Sequence, residues 1–207
     1  MDSLFEKIKN HKPGVIGDEN RFKSAVCIPL IETDQGYEIL LEVRSGKIIH
    51  QPGDICLPGG AIEPGETPEE AAVRETYEEL CISPDQVELI GAIDIFRAGN
   101  VIIYPYVALL KDYRDSYSPD EVAEVFRLPL SFIESTVPDA YTISYQPVFR
   151  DDFPFDRIVG GRNYHWRRVE QETLFYQYKK YTIWGFTAQV LRAFSAMLKD
   201  ERVQDDR

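Results

Sequence analysis

Apolar and polar positions change period several times along this chain, and each change marks an element. Ser24–Glu32 and Tyr37–Arg44 are apolar runs with strand character, and Asp34-Gln35-Gly36 between them reads as a hairpin turn. Val87–Phe96 and Val101–Leu110 form a second such pair, joined at Ala98-Gly99-Asn100. Val122–Leu128 reads as another strand, Pro129–Ser135 as the start of a short helix, and Leu174–Tyr178 as a strand or its remnant. Ile183, Phe186, Val190, Leu191, Phe194 and Leu198 recur at helical spacing and predict a long C-terminal helix over the core. A further short helix is expected around Ser3–Asn10. Strands mixed with helices predict an α/β fold, a layered α/β/α sandwich around a mixed β-sheet. Residues 24–200 are read as one domain, 1–23 as a segment packed on it and 201–207 as a polar tail.

The most informative element is the helix expected from Pro68 to Leu80. Thr67 can cap its free N–H groups, Pro68 suits the first helical position, and Glu70 completes a capping box. At helical spacing Val73, Tyr77 and Leu80 share one face, with Thr76 beside them, while Glu75, Glu78 and Glu79 share the opposite one. Carboxylates at i, i+3 and i+4 repel unless something positive lies between them. Hard divalent cations, which take oxygen ligands, are the natural filling. Arg74 sits at the edge of this face, where a guanidinium can pin a carboxylate. Ahead of the helix, Leu57-Pro58-Gly59-Gly60 is a permissive turn whose backbone can approach an ion or phosphate closely. Pro64-Gly65 is a second turn, and Glu66 follows at the helix entrance.

These residues resemble the Nudix box of the Nudix hydrolases. Gly60, Glu66, Arg74, Glu75, Glu78, Glu79 and Ile82 match the motif. Thr76 stands at an apolar position, and Cys81 replaces the final Gly, which leaves the helix ending in question. The preceding stretch, LLEVRSGKIIHQPGDICLPGG, is similar to the motif of the coenzyme A pyrophosphatase branch: Leu40, Leu41, Arg44, Ser45, Gly53, Pro58, Gly59 and Gly60 agree in register. Glu42 replaces Thr, Ile49 replaces Arg and Leu57 replaces Phe. NVIIYPYVALL, DEVAEVFRLPLSFI and IWGFTAQVL also look like that branch, so the likeness runs over most of residues 24–195.

Composition narrows the reading. A net charge of −12 argues against general nucleic-acid binding. An anionic polyphosphate can still bind an acidic site if a metal ion intervenes. There is no N-terminal apolar run of signal-peptide kind and no stretch long enough to cross a membrane, and the last residues are not a peroxisomal address, so a cytoplasmic protein is expected. Cys27, Cys56 and Cys81 lie in apolar surroundings and are expected to be buried, reduced thiols.

The resemblance implies the Nudix fold and a metal-dependent pyrophosphohydrolase that cleaves coenzyme A or its thioesters to adenosine 3′,5′-bisphosphate and a 4′-phosphopantetheine species. Mg²⁺ or Mn²⁺ would be held by Glu75, Glu78 and Glu79, with Glu66 and the Gly60 carbonyl assisting and Arg74 orienting the carboxylates. The general base is a Glu of the helix, Glu78 among them, or a residue of Ser118–Glu121; Glu121 is the candidate, with Glu124 behind it. Arg44, Ser45, Lys47, Gly53 and Gly59 are candidate substrate contacts, and Arg97 is a further candidate for phosphate. Two alternatives stand beside this: another nucleoside diphosphate such as ADP-ribose or a dinucleotide, and a nucleotide-sensing module without hydrolysis. The aromatic insertion at 139–172 reads either as a lid over adenine or pantetheine, or as packing of an irregular layer or a homodimer interface, the second being favoured.

Overall fold

The computed structural model describes residues 2–12, 15–18 and 20–199. In chain order the elements are α1 (Asp2–Lys9), β1 (Phe22–Thr33), β2 (Gly36–Arg44), β3 (Ile55–Cys56), β4 (Gly59–Ala61), α2 (Pro68–Glu79), β5 (Val87–Ala92), β6 (Phe96–Ala98), β7 (Val101–Leu110), β8 (Val122–Pro129), α3 (Leu130–Ser135), β9 (Asp139–Tyr145), β10 (Val169–Tyr178), β11 (Tyr181–Trp184) and α4 (Gly185–Leu198). The main sheet has eight strands, ordered β3-β2-β1-β7-β5 along its path, with β4 on β1, β6 on β7 and β8 on β2. Among the described residues only β1 and β7 run parallel, from Phe22 opposite Val101 to Leu30 opposite Leu109. The sheet is therefore mixed, as expected.

β1 explains the layering. It is buried on both faces from Ser24 to Pro29, so its successive side chains feed two different cores. Cys27 and Ile31 point to the side of α2, where Leu40, Leu80, Val87 and Ala108 meet them. Ala25 on the same side packs against Ala71 and Ala72, small residues that let the helix lie close to the sheet. Val26 and Ile28 point the other way, into a larger core with Ile39, Leu41, Ile103, Phe126 and the α4 residues Val190, Leu191 and Phe194. Helices thus cover both faces of the sheet, which is the α/β/α sandwich. Period-two alternation on β2 sends Leu40 to the α2 side, and so Glu42 with it.

Three expectations change. Residues 139–172 are not an irregular layer throughout: β9 pairs antiparallel with β10, which pairs with β11, in a second, three-stranded sheet. Ile183 lies on β11 and not on the helix, because Gly185, with φ 65°, turns the chain into α4. On α2 the expected face is met in part: Leu80 is buried, with Val73 and Tyr77 packed on its cluster, but the deepest burial lies beside it. Ala71, Ala72, Thr76 and Glu79 are the buried positions, whereas Val73 and Tyr77 are only half-buried. Small residues bring the backbone near the sheet, and that draws Glu79 inward. Thr76 at its apolar position donates its hydroxyl to the Ala72 carbonyl at 2.7 Å, so burying it leaves the hydroxyl satisfied.

The N-terminal segment joins the domain through Arg21, which donates to the Gly99 carbonyl, and through the Asp18–Arg97 ion pair. The α1 side chains from Phe5 to Lys9 are exposed. The tail at 201–207 lies outside the described residues. Cys27 and Cys56 are buried free thiols, as expected, but Cys81 is exposed. It stands just past α2 in the left-handed region, with φ 51°, and performs the turn that Gly performs in the motif. A side chain there costs about 1–2 kcal/mol, partly offset because Gly is freer in the unfolded chain by about 0.4–1 kcal/mol. Cys81→Gly should therefore stabilise the fold by about 0.5–1 kcal/mol. Urea unfolding would show a higher midpoint with an unchanged slope; a lower midpoint would refute the strained-turn reading.

Candidate active site

The site is assembled where β4 passes beneath α2. β4 adds to β1 with Val26 opposite Gly59 and Ala25 opposite Gly60. Gly59 is required by the β1 backbone against it and by its φ of 156°, whereas Gly60 leaves room for the Glu75 side chain. A Cβ on Gly59 would lie 2.4 Å from the Ala25 carbonyl oxygen, and one on Gly60 would lie 2.3 Å from Glu75 Oε1. The Glu75 carboxylate thus rests directly on the Gly60 backbone. Above it, α2 begins as the sequence foretells: the Glu70 N–H donates to Thr67 Oγ1 at 3.2 Å, and the Thr67 N–H donates to Glu70 Oε2 at 2.8 Å.

Arg74 is the organising cation. Its Nε and Nη2 donate to the two oxygens of Glu66 at 2.8 and 3.1 Å, a bidentate pair. Nη1 donates to Glu75 at 2.8 Å and Glu78 at 3.2 Å, and Nη2 also reaches the Ala61 carbonyl at 3.0 Å. One guanidinium therefore ties the loop after β4, the entrance of α2 and its acidic face together. The hydrogen bonds from Arg74 hold the Glu66 carboxyl below the usual carboxylate range.

Glu79 behaves differently. It is buried and accepts the Gly59 N–H at 2.8 Å. Burial pushes its pKa up to about 8; the Gly59 hydrogen bond opposes this, while the negative charges of Glu75 and Glu121 add to it. Burial raises Glu75 as well, against the pull of Arg74. Glu42 is the site residue that sequence reasoning missed. It is 1% exposed, accepts a weak Cys56 Sγ–H bond at 3.9 Å, and its Oε1 has no hydrogen-bond partner among the described residues. Burial, then the charge of Glu79, pushes its carboxyl well above the ordinary range. The available signal was a lone Glu in the strand run Ile39-Leu40-Leu41-Glu42-Val43, at a position whose alternation points toward α2.

The other candidates divide. Arg44, Gly59 and Gly60 line one cleft of about 460 Å³ together with Ile55, Leu57, Trp184 and Phe186. Arg44 is oriented by its Nε donating to the His50 carbonyl at 3.2 Å. The charge of Glu121 is felt by Glu42, Glu75 and Glu79, so it belongs to the carboxylate group. Ser45, Lys47 and Gly53 do not line the cleft. Ser45 is buried and donates its N–H to the Glu121 carbonyl at 2.8 Å, which fixes the loop carrying Glu121. Lys47 forms an exposed pair with Asp120 at 2.8 Å. Gly53, with φ 82°, makes a turn whose N–H donates to the Arg44 carbonyl. Glu124 is held by Lys180 at 3.0 Å and the Tyr181 hydroxyl at 2.7 Å, and Arg97 by Asp18. These last two therefore sit in pairs of their own.

The donor set fits a hard divalent cation. Its oxygens are carboxylates in excess of the guanidiniums beside them, one is driven to about 8, and a buried oxygen of Glu42 is unpartnered. Among the described residues no three acidic, His or Cys side chains already converge on one point. Arg74 draws Glu66, Glu75 and Glu78 toward itself, so a cation held by Glu75 and Glu78 would compete with that guanidinium for them.

Comparisons with known proteins agree with this geometry. The model of the NUDIX domain matches residues 21–150. The chain is 29% identical over 203 residues to the Uncharacterized Nudix hydrolase NudL of Enterobacter sp. (strain 638), covering 96% of this chain and 94% of that one. It is 34% identical over 113 residues to the mouse Peroxisomal coenzyme A diphosphatase NUDT7, covering 53% of this chain and 48% of that one. The chain spans about half the length of the animal relatives it matches. A crystal structure of a MutT/nudix family protein from Enterococcus faecalis shares the fold with a TM-score of 0.52, over 96% of this chain and 69% of its own, at 18% identity. Among the described residues no helix is long and apolar enough to cross a membrane. With the domain model covering more than half of the 207 residues, including the loop, the helix and every carboxylate gathered around Arg74, the chain belongs to the Nudix hydrolase family.

Proposed function

We propose that this Nudix hydrolase cleaves the diphosphate bridge of coenzyme A or its thioesters, releasing adenosine 3′,5′-bisphosphate and a 4′-phosphopantetheine species. The observation that carries the reading is that Arg44, Gly59 and Gly60, residues of the stretch resembling the coenzyme A signature, line one cleft against the carboxylates of α2. The mouse relative named a coenzyme A diphosphatase, and a second so named from Caenorhabditis elegans at 39% identity over 112 residues, support it.

Glu75, Glu78 and Glu79 would hold the divalent cation, Mg²⁺ or Mn²⁺, with Glu66 and the Gly60 carbonyl beside them. When bound, such an ion neutralises the diphosphate and makes water more acidic. The chain's own residues do the rest. Arg44 holds substrate phosphate, and the bare backbone at Gly59 and Gly60 admits it closely. Arg74 keeps Glu66 positioned through its bidentate pair, and its bonds to Glu75 and Glu78 give way to the cation. Glu121 accepts the proton of the attacking water. The water oxygen bonds to one phosphorus, the bond from that phosphorus to the bridging oxygen breaks, and the bridging oxygen leaves with the second phosphate.

Hydrolysis of another nucleoside diphosphate, such as ADP-ribose or a dinucleotide, is the second reading. Ile49 favours it: it is 90% exposed on the loop before the cleft, where the coenzyme A signature carries Arg.

Glu75→Gln and Glu79→Gln, each preserving size, should lower kcat at saturating Mg²⁺ by about a hundredfold or more, with melting temperatures showing retained fold. Near-normal turnover in both would sink the cation assignment. Arg44→Ala should lower kcat/KM for coenzyme A about tenfold more than for dephospho-coenzyme A, which lacks the 3′-phosphate. Equal losses on the two substrates would deny Arg44 that contact.

The raised pKa of Glu79 gives a signed pH dependence. The folded protein holds its proton up to about 8, whereas the unfolded chain releases it near 4.5. That stabilising contribution is complete below about pH 4.5 and is lost as the pH rises through 8. Cation-free protein should therefore lose stability across this window, and Glu79→Gln should flatten the decline. Saturating Mg²⁺ should raise the melting temperature more at alkaline pH than at pH 6 or so, since it stabilises the carboxylate form. A Mg²⁺ effect independent of pH would count against Glu79 as a ligand.

A further inference from the structure

IWGFTAQVL, singled out in the sequence, lies beyond residues 21–150 covered by the family model. The fold returns it to the site. β11 ends at Trp184, Gly185 makes the left-handed turn into α4, and Thr187 Oγ1 donates to the Ile55 carbonyl at 3.2 Å. That bond fixes the start of α4 on β3, so Trp184 and Phe186 become one wall of the cleft that Arg44, Gly59 and Gly60 line from the other sheet. The indole stacks on Phe175, with centroids 5.8 Å apart and planes at 10°, and remains 41% exposed. Phe186 packs against Phe96 at 6.4 Å, and Phe22, Val101 and Ile103 complete an apolar lining. The cleft therefore joins a rigid aromatic wall to a single oriented guanidinium.

We propose that this cleft receives the nucleoside half of the substrate, with the base flat on Trp184 and the ribose phosphate at Arg44. The proposal rests on the coenzyme A reading and names the half that the C-terminal unit recognises. A base offers a planar face to an aromatic ring, and its phosphate suits a guanidinium. A phosphopantetheine arm brings a phosphate and two small amide planes but no aromatic ring, so it matches the aromatic wall less well than a base does. Trp184 and Phe186 are thereby specificity residues, separate from the carboxylates that hold the cation.

The chain has two tryptophans, so Trp166→Phe leaves Trp184 as the single reporter. In EDTA, adenosine 3′,5′-bisphosphate should quench its emission saturably, and 4′-phosphopantetheine should not. By calorimetry, Trp184→Ala should weaken bisphosphate binding about tenfold or more, and Trp184→Phe should retain most of it. With coenzyme A as substrate, Trp184→Ala should raise KM by a similar factor and change kcat little, its melt confirming the fold. Quenching by the phosphopantetheine and not by the bisphosphate would overturn the proposal, as would Trp184→Ala and Trp184→Phe binding the bisphosphate as tightly as the unmutated protein. If the bisphosphate quenches and Trp184→Ala releases it while the unmutated enzyme leaves coenzyme A intact, the nucleoside site stands and the coenzyme A reading falls.

Discussion

Carboxylates gathered in a poorly solvated space raise one another's energy, and the arrangement around α2 is a set of answers to that repulsion. Arg74 answers it for Glu66, Glu75 and Glu78 by sharing its donors among them. The Gly59 N–H answers it in part for Glu79, which still holds its proton far above the ordinary carboxylate range. Glu42 is answered least, with one buried oxygen unpartnered. A protein selected only for stability would replace such groups with apolar ones, because a buried charge without a partner is costly. Keeping them makes chemical sense when a divalent cation is to be bound, since the same excess charge that destabilises the cation-free site attracts the ion.

That arrangement depends on backbone proximity. α2 can lie close to the sheet because Ala25, Ala71 and Ala72 are small, and the loop beneath can carry Gly59 and Gly60 because neither has a side chain to clash. The closeness is what buries Glu79 and rests Glu75 on Gly60. Packing density and site electrostatics are therefore one constraint. A side chain on Gly60 would displace the Glu75 carboxylate, and one on Gly59 would press on the β1 backbone at Ala25 and Val26.

The cleft depends on the opposite face of the same sheet. α4 is anchored by Val190, Leu191 and Phe194 in the larger core, and its first turn is tied to β3 through Thr187. The second sheet then brings Trp184 to the rim, stacked on Phe175. Arg44 at the end of β2 faces this wall, while the other edge of the cleft is the glycine loop that contacts Glu75 and Glu79. The cleft and the carboxylates thus share one glycine loop.

How much of this was legible beforehand follows from the range of each interaction. The capping box, the extent of α2, the β1–β2 hairpin and the acidic spacing are local, so a few neighbouring residues determine them. Thr67 and Glu70 lie three positions apart, and Glu75, Glu78 and Glu79 within one turn. The family likeness came from the same local motif. Helical rotation was legible only in part: Val73 and Tyr77 do pack beside the buried Leu80, but sheet contact at Ala71 and Ala72 turns the helix far enough to bury Glu79 as well. Lys47, Glu124 and Arg97 were chosen by charge and position; their partners Asp120, Lys180 and Asp18 lie 73, 56 and 79 residues away, and only folding reveals them. Glu42 and Trp184 show the same limit from the other side. Their neighbours belong to distant strands and helices, so the sequence determined the acidic spacing along the helix, and the tertiary structure decided which carboxylates are buried and what closes the cleft.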